Sequence, residues 1–439
     1  MSPKVRDRHT ALMQETALGD RSQRGVVDRG AIQRRTVSSL VGSQMLGGIG
    51  VASGIAVGSI LAEQIVGTAE LAGLANTAQV LGAALITVPM ARLMAARGRR
   101  TGLVAGYACG TLGAALAIWA GVVSSFALLL VGTALFGAAT TSNSQARYAA
   151  TDLAEPTRRG RALSLVVWAT TVGAVLGPNL LGPAGRLGEL VGIPALVGPF
   201  LVSMAGFVLA GLLLWSRMRP DPLLTAQRLS SRAGEPAQPH GTLRRALGVI
   251  RRSRGALVGV AAVAVGHTVM VGVMVMTPLQ MHHGGASLRL VGFVISVHIL
   301  GMYALSPVTG WLADRIGTRP VIVLGSVVLV AATLLAGRSP TGWSSGLTVA
   351  LFLLGLGWSC TLVAGSTLLS NSVPLAERPG VQGASDLVMG LCAAAGGALA
   401  GVVVGGWGFG WLGLIAALLA VLLGAVTVLA GGRRGSAAY

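Results

Sequence analysis

The chain has 439 residues, of which 53% are hydrophobic and only 11% charged, and it carries a formal net charge of +19. A water-soluble domain of this composition would expose large apolar surfaces, whereas a protein that crosses a bilayer many times needs such a composition to satisfy lipid. The positive charge does not signal nucleic acid, because 32 of the 33 basic side chains are arginines that stand in short clusters between apolar runs rather than along one face.

Residues 1 to 35 hold eight basic and four acidic side chains and lack the apolar centre of a signal peptide, so they read as a polar tail. Runs of about 18 to 25 apolar residues then predict membrane helices near 36 to 60, 73 to 94, 101 to 121, 126 to 147, 162 to 182 and 194 to 215. A second set follows near 256 to 280, 289 to 312, 320 to 337, 344 to 368, 383 to 405 and 409 to 430. The prediction is an all-α membrane protein of twelve spanning helices, in bundles over 36 to 215 and 256 to 430. The segment 216 to 255, rich in Pro, Ser, Gly and Arg, reads as a flexible polar linker, and 431 to 439 as a tail. With the N-terminus in the cytoplasm, 30 basic residues fall on the cytoplasmic side and only Arg186, Arg289 and Arg338 on the other. That asymmetry places both termini and the linker inside. Cys109, Cys360 and Cys392 lie in separate apolar runs without metal-site spacing and read as small hydrophobes.

An internal repeat follows the second helix of each half. Gly310-Trp-Leu312-Ala-Asp314-Arg315-Ile-Gly317-Thr-Arg319 matches Ala91-Arg-Leu93-Met-Ala95-Ala-Arg97-Gly98-Arg99-Arg100. The pattern G-x-L-A-D-R-x-G-x-R, together with the 6+6 layout, resembles the loop signature of the major facilitator superfamily over residues 36 to 430. The resemblance implies a secondary transporter working by alternating access, in which Gly310, Asp314, Arg315, Gly317 and Arg319, with Gly98, Arg99 and Arg100, form a cytoplasmic gate. A carboxylate at such a turn can pair with a neighbouring helix N-terminus or arginine and latch one conformation. Ala95 stands where the first copy would carry its aspartate, so the latch is not symmetric. In the fifth helix, Gly173-Ala-Val-Leu-Gly177-Pro178 is similar to the G-x-x-x-G-P element of antiporters in the superfamily, although Ser164 and Leu181 stand where glycines are usual. As structure, these small residues and the proline favour close packing and bending.

Proton coupling usually requires an acid within the membrane. Of fourteen acidic residues, ten fall in cytoplasmic segments and Glu63, Glu70 and Glu189 in or beside external loops, which leaves Asp386 in the eleventh run. It is the coupling candidate, with an anionic helix cap as the alternative role. On this reading the first half contains no buried acid.

The stretch from His267 to Met302 gathers four of six histidines and five of thirteen methionines. His267, Met270, Met274 and Met281 share one stripe of the seventh helix, and His298 and Met302 lie one turn apart on the eighth. In an antiparallel hairpin turning near residue 286, Met270 stands level with Met302 and Met274 with His298, roughly 14 to 24 Å from the turn and near mid-bilayer. Thioethers and an imidazole without a carboxylate suit Cu(I) better than harder ions, although methionine is also an ordinary filler of membrane helices. Met270-x-x-x-Met274 and His298-x-x-x-Met302 are similar to the paired motifs of the CcoA-like copper-uptake transporters, a bacterial branch of the superfamily that also holds riboflavin carriers. That resemblance implies copper, moved inward, as substrate, with a proton-coupled organic molecule or drug as the alternative. His282 and His283 sit at the predicted outer mouth. The expectation is therefore a monomeric transporter in the bacterial cytoplasmic membrane. Its partners are the lipid bilayer and a small ion or molecule, with no nucleic acid, no resident cofactor and no enzymatic activity.

Overall fold

A computed structural model describes residues 28–67, 69–232 and 243–431, and regular structure among them is entirely helical. Its helices are α1 (Arg29–Val66), α2 (Ala69–Arg97), α3 (Arg99–Val123), α4 (Phe126–Ala149), α5 (Arg159–Asn179), α6 (Leu181–Leu190), α7 (Gly198–Arg217), α8 (Pro222–Arg232), α9 (Leu243–Arg252), α10 (Arg254–His283), α11 (Leu288–Tyr303), α12 (Ser306–Ile316), α13 (Thr318–Gly337), α14 (Ser345–Ser372), α15 (Arg378–Trp407) and α16 (Phe409–Gly431). Twelve candidate spans result. The eighth is α11 followed by α12, because Pro307 in the first turn of α12 lacks the N–H that would continue the ladder.

Most of the polar tail predicted for residues 1 to 35 lies outside the described residues, but its last part is already helix. α1 starts at Arg29, where the Asp28 carboxylate accepts the Ala31 N–H at 2.9 Å and so caps the first turn. The linker differs from expectation in a similar way. Residues 233 to 242 lie outside the described set, yet the flanking segments form α8 and α9 and are tied down. Asp221 accepts N–H groups from Leu223, Leu224 and Arg100, which joins the linker to the start of α3. On α9, Ala246 and Ile250 are buried and Arg245 pairs with Glu377 at 2.6 Å, which holds the helix against the start of α15. The tail from 432 onward is also outside the described residues.

Two hydrophobic cores lie within the two halves. One is built from α1 to α7 around Phe136, Phe200, Phe207 and Tyr107, and the other mainly from α9 to α16 around Trp358, Leu351 and Met270. The glycine element of the fifth span works inside the first half. Gly173 brings the backbone of α5 against Gly48 of α1, and Gly177 meets Ala52 and Ser53 one turn further on, so the pair packs two helices at backbone distance. Pro178 falls in the last turn of α5.

The repeat seen in the sequence is a real structural repeat. Gly98 joins α2 to α3 with φ 90° and ψ 166°, and Gly317 joins α12 to α13 with φ 96° and ψ 155°. Only glycine adopts this region without strain, so both chain reversals need no additional loop. Gly317→Ala is expected to destabilise the protein by about 1–3 kcal/mol, seen as a lower melting temperature in detergent, whereas Gly292→Ala, at an open helical position, should leave it nearly unchanged.

Candidate functional site

The hydrogen bonds that join the two halves gather, among the described residues, at the end where the arginine-rich loops lie, here the basic end. Asp314 on α12 accepts from the N–H groups of Gly160 and Arg161, both at 2.8 Å, and so sits on the exposed N-terminus of α5. This is the predicted contact between the repeat's carboxylate and a neighbouring helix. Next to it, Ser306 donates to the Ser164 carbonyl at 3.1 Å, and Arg159 bonds Asn371. Arg315 lies over the Trp311 ring and Arg100 over Trp215, so both stack at the rim. Arg319 has a buried Nε without a partner.

In the first half, where Ala95 replaces the aspartate, a different contact does the joining. The fully buried Arg99 bonds Asp152 at 2.8 Å through Nε and reaches across to the Gln382 amide oxygen on α15 at 2.5 Å. Asp152 is thus a buried acid in the first half, contrary to expectation. Sequence position suggested a solvated loop, but the chain after α4 folds back under the bundle, and a buried arginine requires a carboxylate.

Deeper in, Asp386 marks the floor of a cavity. It lies about 12 Å along α15 from the first residue of that helix, too far in to cap it, and Glu377 holds the cap position instead. Its carboxylate takes hydrogen bonds from Arg147 at 2.5 Å, Gln145 at 2.7 Å and Tyr148 at 3.5 Å, all from the last turns of α4 in the other half. The Arg147–Asp386 pair is buried on both sides. Arg147 was not singled out in the sequence, because an arginine at the end of an apolar run reads as a topology anchor.

Above this pair opens a cavity of about 390 Å³. Its first-half wall is polar, with Gln44, Gln79, Asn76, Asn143, Thr140 and Thr170. Gln44 donates to Thr170 at 2.9 Å, while its Oε1 is buried and unpartnered. The second-half wall is aromatic: the Trp358 Nε1–H donates to His267 Nδ1 at 2.9 Å, and Tyr303 meets the Trp358 ring edge-on at 5.5 Å. Arg147 and Asp386 are the charged pair lining this space. It reaches Ile55, Asn76 and Val80 toward the far end, where, among the described residues, no hydrogen bond links the halves.

The family profile of the Major Facilitator Superfamily matches residues 39–285 and 270–437. The chain belongs to the major facilitator superfamily. It is 38% identical over 432 residues to the uncharacterized MFS-type transporter YdeG of Bacillus subtilis, covering 98% of this chain and 99% of that one. It is 29% identical over 357 residues to the riboflavin transporter RfnT of Brucella anthropi, covering 81% and 85%. Among solved structures it is similar to the fucose:proton symporter FucP of E. coli, with a TM-score of 0.71 at 17% identity over 90% and 98% of the two chains. This likeness concerns the fold. The names of these relatives speak of riboflavin or leave the substrate open, and none speaks of copper.

In this superfamily transporter the His and Met residues do not share one place. His267 lines the cavity, whereas Met270, Met281 and Met302 are buried in the core of the second half and Met274 packs at its edge. α10 and α11 touch only slightly. α11 packs mainly on α14, where Gly301 and Gly355 let the two backbones approach. His298, 1% exposed, accordingly turns toward α14 and its Nδ1 bonds the Leu351 carbonyl at 2.7 Å. His298 is thereby engaged with α14, while Met270 and Met302 belong to one buried cluster with Met274 packed against it. His282 and His283 are exposed at the end of α10. Cys109, Cys360 and Cys392 are free, and the last is exposed.

Removing one partner of a buried pair leaves the other charge uncompensated. Asp386→Ala should therefore cost about 3–5 kcal/mol, and the double variant Asp386→Ala with Arg147→Met should recover a large part of it. Melting temperatures of the three proteins check the sign of this coupling.

Proposed function

We propose that this transporter carries a small polar organic molecule with a planar ring through the central cavity, by alternating access in the bacterial cytoplasmic membrane. The observation behind this reading is the pairing of two unlike walls around one space. Amides and hydroxyls on the first half offer hydrogen bonds, and Trp358, Tyr303 and His267 on the second offer ring faces. A volume of about 390 Å³ suits an organic solute and is far larger than a coordination sphere. The riboflavin transporter among the relatives supports the same substrate class.

The excess of arginine at the basic end supports placing that end, with both termini, in the cytoplasm. The closed state is then the one that faces outward. Solute entering from outside meets the Arg147–Asp386 pair on the floor. Competition of its polar groups for either member weakens the tie between the halves, and protonation of Asp386 in the solute-bound state would release the tie and couple transport to protons. This reading takes up the organic alternative from the sequence.

Riboflavin is the first probe. In proteoliposomes of the purified chain, uptake should saturate, Asp386→Asn should abolish uptake driven by a proton gradient, and Trp358→Ala should raise KM about threefold to tenfold. If riboflavin is not carried, a panel of heteroaromatic solutes tests the class. The reading fails if no ring-bearing solute is transported, or if Trp358→Ala and Gln44→Leu both leave transport unchanged.

Copper remains a second reading on one observation. The buried Nε2 of His298 has no hydrogen-bond partner, and Met302 follows one turn later. On that reading His298→Ala and Met270→Ala each lower copper accumulation in cells expressing the protein, and unchanged accumulation in both removes it.

A further inference from the structure

At the basic end, outside the transport cavity, Arg378 and Arg159 carry buried nitrogens without a hydrogen-bond partner. Arg378 opens α15 and is 6% exposed, yet its Nε and Nη1 are buried without hydrogen-bond partners. Arg159 opens α5 in the other half. One of its nitrogens bonds the Asn371 amide oxygen, but its buried Nε has no partner. Arg159, Arg99 and Asp152 act electrostatically on Arg378, and Asp152 and Arg29 act on Arg159.

Nearby acids are already committed. Asp152 forms two bonds to Arg99, at 2.8 and 3.3 Å. Glu155 pairs with Arg158, and Glu377 with Arg245. Asp314 sits on the Gly160 and Arg161 N–H groups, Asp221 on the Arg100 N–H, and Asp386 on Arg147. Arg99 and Arg378 are buried and Arg159 half-buried, and Asp152, already bonded to Arg99, is the acid that acts on both Arg378 and Arg159. Each of the two unsatisfied ones also stands at the positive end of a helix, which raises the local potential further. A buried guanidinium without a full counter-charge is unfavourable, so the arrangement favours an anion supplied from elsewhere.

We propose that Arg378 and Arg159 hold a phosphate-class oxyanion, either a phospholipid headgroup or free phosphate, that staples the two halves together at the basic end. Planar guanidinium forks match the spaced oxygens of a phosphate and bind it bidentately. Because Arg159 belongs to the first half and Arg378 to the second, a bound anion bridges them and favours the closed basic end. Alternating access then requires the anion to leave or to stay with one half.

The test uses the full chain, purified in neutral detergent and in phosphate-free buffer. Inorganic phosphate is titrated in one arm. In the other, nanodiscs of phosphatidylcholine alone are compared with nanodiscs containing phosphatidylglycerol. The melting temperature of the native chain should rise by several degrees with at least one probe, and this rise should vanish in Arg378→Gln. Without any anion the order should invert, with Arg378→Gln melting above the native chain because an unmatched buried charge is gone. Arg186→Gln, which removes an exposed arginine elsewhere, should respond as the native chain does and so excludes a net-charge effect. If Arg378→Gln does not fold, Arg159→Gln carries the same comparison. A rise with phosphate points to a soluble anion, and one with phosphatidylglycerol alone to the lipid. No rise with either probe, or an equal rise in Arg378→Gln, overturns the site.

Discussion

The structure depends on the fact that a guanidinium and a carboxylate cannot stand alone in a bilayer. Arg147 on α4 and Asp386 on α15 belong to different halves, and each is buried. Their mutual need therefore ties one half to the other near the floor of the cavity. The remaining hydrogen bonds between halves, among the described residues, lie at the same end: Arg99 to Gln382, Asp314 to the start of α5, Ser306 to Ser164 and Arg159 to Asn371. The apolar cores, in contrast, lie mostly within the halves. Separating the halves at this end leaves both cores nearly intact and exchanges a few polar contacts for solvent. Since one neutral hydrogen bond contributes only about 0.5–1.5 kcal/mol net, the charged pair is the largest barrier to that motion. It is also the one a solute in the cavity can reach.

How much of this was legible in the sequence depends on whether a feature is local. The twelve spans and the Gly98 and Gly317 turns are written in runs and spacings of neighbouring residues, and the structure has twelve candidate spans and both turns. The Gly173 and Gly177 packing face was legible for the same reason. Arg147 and Asp152 were not. Each sits at the end of an apolar run, where a charge ordinarily faces water, and only tertiary folding encloses it. The aromatic wall was likewise hidden, since Trp358, Tyr303 and His267 come from three helices. The contact of α11 with α14 was hidden as well, since it rests on the close approach of Gly301 and Gly355 and brings His298 to the Leu351 carbonyl.

The unequal copies of the repeat carry the last step. In the second half Asp314 rests on backbone N–H groups at the start of α5, an interaction of a charge with a helix end that needs no particular side chain opposite. In the first half Ala95 offers nothing of the kind, and Arg99 reaches Gln382 on α15 instead, with Asp152 behind it to hold the guanidinium in line. The first latch thus places a positive charge at the junction where the second places a negative one. An aspartate at position 95 would have brought a carboxylate to the side of α2 that faces the start of α15, beside Glu377 and near Arg378. Glu377 is taken by Arg245 of the linker helix α9, and Arg378 keeps two buried nitrogens without a hydrogen-bond partner. Two structural repeats, one of them lacking the carboxylate, therefore join the halves at the basic end through two chemically distinct contacts.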